Sequence, residues 1–312
     1  NYDGGNFEIT GIRNFQLDKV EYEDYYSSGG LFGGIQNAVI QNVIVADSEI
    51  RGSGDIGAIV NRGSGTIINC VNLSSVEGSG SYVGGIIGSL SSMSGGNGSF
   101  SVINCRNEGN VIMRPSLMGN VYVGGIAGSA TVINCVNTGT IQNFGTSNID
   151  YVGGIAGSGT VRSSVNEGTV TSTTTAGGII GSGSVYNSYN SGTITGDYAG
   201  GIIGYDGTVE NCYNLGDVNG TTRAGGVWGG NSSSSGSVSI NHVYNAGNVT
   251  GGQNAYTGGI VGGGAATISN AINIGQVTGG TNVSGILGYA SSSTVNNSYY
   301  GGNCANIGAV NG

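Results

Sequence analysis

The sequence is poor in the residues that make catalytic and charged surfaces. Its 312 residues include one histidine, one proline, one tryptophan and eight basic side chains, and only 8% of the chain is charged. A zinc peptidase of the His-Glu-x-x-His kind needs two histidines one helical turn apart, so His242 alone excludes it. No Ser-His-Asp set can be built without that residue. Bases are scattered, with no lysine after Lys19 and a net charge of −9, which leaves no electrostatic footprint for nucleic acid or an anionic membrane. No run of 18 apolar residues exists, so this chain has no candidate membrane span.

What is abundant is glycine, 66 residues of it, and it is periodic. A Gly-Gly-aliphatic start recurs at Gly29, Gly57, Gly84, Gly124, Gly153, Gly177, Gly200, Gly225, Gly258 and Ser284, with Ala58 once replacing the second glycine. Three aliphatic columns line up behind these starts, exemplified by Ile126, Val132 and Ile141. Short β-branched runs bounded by Gly and Asn are strand signals, and none has helical spacing. A unit as short as the 23 residues from Gly177 to Gly200 cannot bury its own apolar face, and a propeller blade needs about 40. The expected fold is therefore an all-β, right-handed parallel β-helix (β-solenoid) of about ten coils with three short strands per coil.

Two asparagine columns accompany the strands. One runs through Asn69, Asn104, Asn134, Asn187 and Asn211, with His242 taking a place in it; the other runs through Asn72, Asn107, Asn137, Asn166, Asn190, Asn214, Asn245 and Asn273. Asn accepts left-handed backbone at turns, and amides stacked at strand spacing can form a ladder. Both are expected at corners. Cys70, Cys105, Cys135 and Cys212 share a third column with Ser and Val, and parallel in-register side chains suit a disulfide poorly. They are read as free buried thiols, whereas Cys304 stands outside the column.

Nine of the 17 acids fall before residue 56, and residues 1–28, which carry Glu21, Glu23 and Asp24, are expected to cap the first coil; calcium binding by the carboxylates of that segment is the alternative. Residues 29–300 form the repeats and 301–312 a tail. No cofactor or metal is expected. Asp197 and Asp217 lie on adjacent coils and are the one acid pair that an enzyme acting on polysaccharides could use, against their reading as surface turn acids. A flat threonine array would need matching columns, and Thr171 to Thr175 reads as one isolated patch. Insertions after the strands bring Met113, Arg114, Leu117, Met118 and Phe144 together as a candidate contact surface. Tyrosines form two candidate rows. Tyr82, Tyr122, Tyr151, Tyr198 and Tyr256 precede the Gly-Gly strands, and Tyr189, Tyr213 and Tyr244 precede the second asparagine column.

The units Tyr122-Val123-Gly124-Gly125-Ile126-Ala127-Gly128 and Val132-Ile133-Asn134-Cys135-Val136-Asn137-Thr138-Gly139-Thr140-Ile141 resemble the GLUG repeat of bacterial surface proteins, a repeat found beside immunoglobulin A peptidase domains. The opening from Tyr2 to Ile12 is similar to the segment that precedes such arrays. The resemblance implies a β-solenoid in a secreted or cell-surface protein and implies no activity. A chain that begins inside such a segment is expected to be a mature or trimmed piece of a precursor. The function expected is structural or adhesive and non-catalytic. The expected partner is self, by head-to-tail stacking of open end coils into a fibre, or a host or cell-surface protein or glycan. A carbohydrate-binding or carbohydrate-cleaving β-helix and a passive stalk are the alternatives.

Overall fold

The computed structural model describes residues 1–13, 29–90, 100–115, 119–145, 150–231, 237–279 and 282–301. Among them every element is a β-strand and no helix occurs. Strand pairs are parallel and join a residue to its equivalent one repeat later, as in Val132 beside Val161 and Val161 beside Val185. The chain is thus a parallel β-solenoid of about nine turns, the number of intervals between its ten Gly-Gly starts.

One coil shows how the sequence makes the turn. Tyr122–Gly124 belongs to sheet II; the chain bends at Gly125 and Ile126 and enters sheet I as Ala127–Ile133. Asn134 turns it with a φ of 55°, Val136–Asn137 continues sheet I, and Ile141–Asn143 returns to sheet II. The second column therefore lies in sheet I, whereas the third column and the Tyr-Val-Gly strand share sheet II. All three aliphatic columns are buried apart from the half-buried end members Leu31 and Val295, as expected from their alternation with polar neighbours, together with a row through Val83, Val123, Val152 and Ala176.

Of the two asparagine columns only one takes the left-handed backbone of a corner. Asn69, Asn104, Asn134, Ser163, Asn187, Asn211, His242 and Asn270 all have positive φ between 50° and 55°. The second column is interior. From Asn72 to Asn245 each Nδ2 donates to the Oδ1 of the next coil's asparagine at 2.7–2.8 Å, and each also donates to the carbonyl two residues on. This ladder explains the second glycine of the repeat. A Cβ on Gly154 would meet Cγ of Asn166 at 2.3 Å and the carbonyl oxygen of Gly178 at 2.2 Å. Alanine holds that place once, at Ala58, in the coil where the ladder starts.

The two ends differ from the middle. Tyr2–Asp3 and Glu8–Thr10 pair with Ile40–Gln41 and Ile44–Ala46, so the opening residues extend the first coil; residues 14–28 of the expected cap lie outside the described residues. At the other end Tyr300 takes the ladder's place above Asn273, with its ring against Gly285.

Candidate functional site: the outward rows

Side chains that alternate with the buried columns form straight outward rows. The first tyrosine row is real: Tyr82, Tyr122 and Tyr151 are in register, with ring centroids 5.0 Å apart and planes within 14° of parallel. Thr175 interrupts it, and Tyr198, Arg223 and Tyr256 resume it. The Arg223 guanidinium lies 5.4 Å from the Tyr198 ring and 5.7 Å from that of Tyr256, a cation held between two π faces. Partial burial pushes the Tyr82 and Tyr151 hydroxyls above the ordinary tyrosine range. Two members escaped the sequence reading: Tyr205 meets Tyr151 edge-on at 5.6 Å, and Tyr289 stacks on Tyr256 at 4.6 Å. Both come from outside the Tyr-Val-Gly strand, so column alignment could not find them.

The second row is also formed. Tyr189 and Tyr213 stack at 4.7 Å and 5°, Tyr244 stands beside Tyr213, and Ile272 and Tyr299 continue the line. Within the stacked pairs the facing ring surfaces cover one another, which leaves less ring face open as a stacking platform for a sugar ring.

Of the five-residue contact surface, one member is displaced to the interior. Met113 is 0% exposed because Val111–Met113 alternates inward, outward, inward; that period-2 pattern was readable. Arg114 points out and pairs with Glu77 at 2.6 Å, which Arg51 also approaches, and the bond to Glu77 holds the Arg114 guanidinium even more firmly protonated than usual. Phe144, 44% exposed, follows Asn143, the residue paired with Met113. Leu117 and Met118 lie outside the described residues.

The candidate catalytic groups are bound into the stack. Asp197 accepts hydrogen bonds from the hydroxyls of Thr221 and Thr222 on the next coil. Asp217 accepts the Asn248 N–H at 3.0 Å, again one coil on. His242 is a corner residue with φ 52°. Asp150 is the one fully buried carboxylate among the described residues; Asn143 donates to its Oδ2 at 2.9 Å. No group of three or more His, Cys, Asp or Glu able to hold a metal occurs among the described residues. The four column cysteines are free thiols. Cys70 and Cys105 N–H groups donate to the next coil's Sγ, and Cys135 N–H to Ser164 Oγ at 3.1 Å, so sulfur and hydroxyl do one job there. Burial raises the Cys105 thiol well above its ordinary range.

The fold and its rows define a class, the parallel β-solenoid repeat proteins. No family model and no curated protein matches the chain. Among solved structures it is similar to the crystal structure of a candidate immunoglobulin A1 protease from Bacteroides ovatus, at 22% identity and a TM-score of 0.43, over 68% of this chain and 59% of that one.

Proposed function

We propose that the chain is a non-catalytic structural or adhesive solenoid of the GLUG-repeat kind, belonging to a secreted or cell-surface bacterial protein. One observation carries the non-catalytic reading: Asp197 and Asp217, the acids best placed for glycoside chemistry, each bond to the coil that follows. A carboxylate occupied in holding successive coils together is not poised to take a proton or attack a sugar. The same bonds make the outer rows stiff and repetitive, which suits attachment to an extended partner. The resemblance of the Gly-Gly-aliphatic units to bacterial surface repeats supports the location. A reducing-sugar assay across neutral and acidic polysaccharides tests the reading. No product is expected, and product formation that disappears in Asp197→Asn would overturn it.

A further inference from the structure

Sheet II carries a third outward row that the sequence reading took for an isolated threonine patch. Thr171, Thr195, Asn219, Thr250 and Thr278 stand one above another on five consecutive coils, all at least partly exposed. The Thr278 hydroxyl donates to that of Thr250 at 3.3 Å. Every member is a short hydroxyl or amide, so the row is a rail of donors and acceptors repeating at the strand spacing of about 4.8 Å. Toward the N-terminus the same line continues through Gln142 and Ile112 to Glu77 and Arg51; the five-coil stretch itself holds no charge, on a chain whose net charge is −9. Two positions before it in each coil lie Thr169, Thr193, Asp217, Asn248 and Gln276, whose single carboxylate is occupied by the Asn248 N–H.

We infer that this face binds an uncharged, extended polysaccharide lying along the rod. The charge match argues for it: a polyanion would be repelled by the acidic chain, and a polycation would find no carboxylate among these five residues, those of Asp197 and Asp217 beside them being bonded to the next coil. The spacing argues for it as well, because the rise per ring of an extended chain of β-linked pyranose rings is close to one coil, so that successive rings meet successive rungs. Each rung offers a weak bond exchanged against water, so a single sugar binds poorly. A long chain gains from many rungs at once, since every contact after the first is intramolecular.

The inference rests on the non-catalytic reading above, and the two fail differently. The probe is microcrystalline cellulose, with polygalacturonate as its charged counterpart and cellobiose as the short one. The wild-type protein should be retained on cellulose and not on polygalacturonate, and cellobiose should not elute it. Thr195→Lys with Thr250→Lys should lower retention about tenfold, equal to ~1.4 kcal/mol. Thr195→Ser with Thr250→Ser should keep it, as should Thr208→Lys on sheet I; unchanged melting of each variant shows that the rod is intact. Absence of wild-type retention, retention on polygalacturonate alone, equal retention of the lysine variant, or reshaping of ice crystals without retention would overturn the assignment of this face. Release of soluble sugar from the polymer would instead overturn the non-catalytic reading.

Discussion

Asn137 donates one amide hydrogen to Oδ1 of Asn166 on the next coil at 2.8 Å and the other to the carbonyl of Gly139 at 2.9 Å. Asn166 repeats the arrangement toward Asn190 and Gly168. Inside a rod this thin, a side chain with two donors and one acceptor in a plane is the only kind that satisfies its own turn and both neighbours. Asn166→Ala removes three bonds and leaves the Asn137 donor and the Gly168 carbonyl without partners. Each unmet buried group costs ~1–3 kcal/mol, so a loss of about 3 kcal/mol or more is expected, read as a lower urea midpoint by the fluorescence of the buried Trp228. A change below ~1 kcal/mol would mean that the ladder is a by-product of stacking.

The repeat's second glycine should be equally exacting wherever the ladder continues on both sides. Gly154→Ala drives a methyl into the Asn166 amide and the Gly178 carbonyl, and overpacking costs ~1–3 kcal/mol even where neighbours yield. Gly34→Ala is the control, since its nearest foreign atom, the Arg62 oxygen, lies 3.9 Å from the added carbon. Loss of soluble protein or a lower midpoint is expected for the first variant only.

The left-handed corner predicts a different ranking at His242 and Ser163, with φ of 52° and 50°. Asn and His both enter this region, whereas a β-branched residue there is strained. His242→Asn should leave stability within ~0.5 kcal/mol and His242→Val should cost ~1–2 kcal/mol; Ser163→Asn should be neutral or stabilising. Were His242 a catalyst, the Asn and Val variants would be equally inactive, so an activity removed by both at unchanged stability would contradict its corner role.

Much of this was legible because a solenoid writes its contacts into its period. Val132 lies beside Val161 since the two are equivalent, and the same logic gave the tyrosine rows and the thiol column. Less legible was which asparagine column turns inward. A residue comparison would have told them apart: the corner column accepts Ser163 and His242, and the ladder admits only asparagine from Asn72 to Asn273. Met113 was misplaced because it was read as part of an insertion, although its spacing from Val111 puts it in the core. The threonine rail was missed for a similar reason. Asn219 breaks the Thr-x-Thr wording while keeping the hydrogen-bonding character, and only register shows that Thr195 and Thr250 flank it.

The thiol column gives a prediction in alkali. Burial pushes the Cys212 thiol from its ordinary 9.0 up to about 11, against backbone hydrogen bonds that lower it. An acid whose pKa is raised by folding keeps its proton in the folded state while the unfolded chain has already released it. Between those two values the folded state binds more protons, so stability falls as pH rises. The contribution is complete below pH 9, shrinks through the interval and is spent above 11. At about 1.4 kcal/mol per unit this amounts to roughly 2–3 kcal/mol. Tyr82, Tyr151 and Tyr213 are also raised by burial and slope the same way, so the comparison must be with Cys212→Ser. Serine suits the site, because Ser188 of the same column donates to the carbonyl two residues back as the Cys212 thiol does. Urea midpoints of the two proteins should differ little at pH 8 and separate by pH 11, with the wild type falling below Cys212→Ser. Parallel pH profiles would show that Cys212 ionises freely in the folded rod, and that the column is not the dry interior described above.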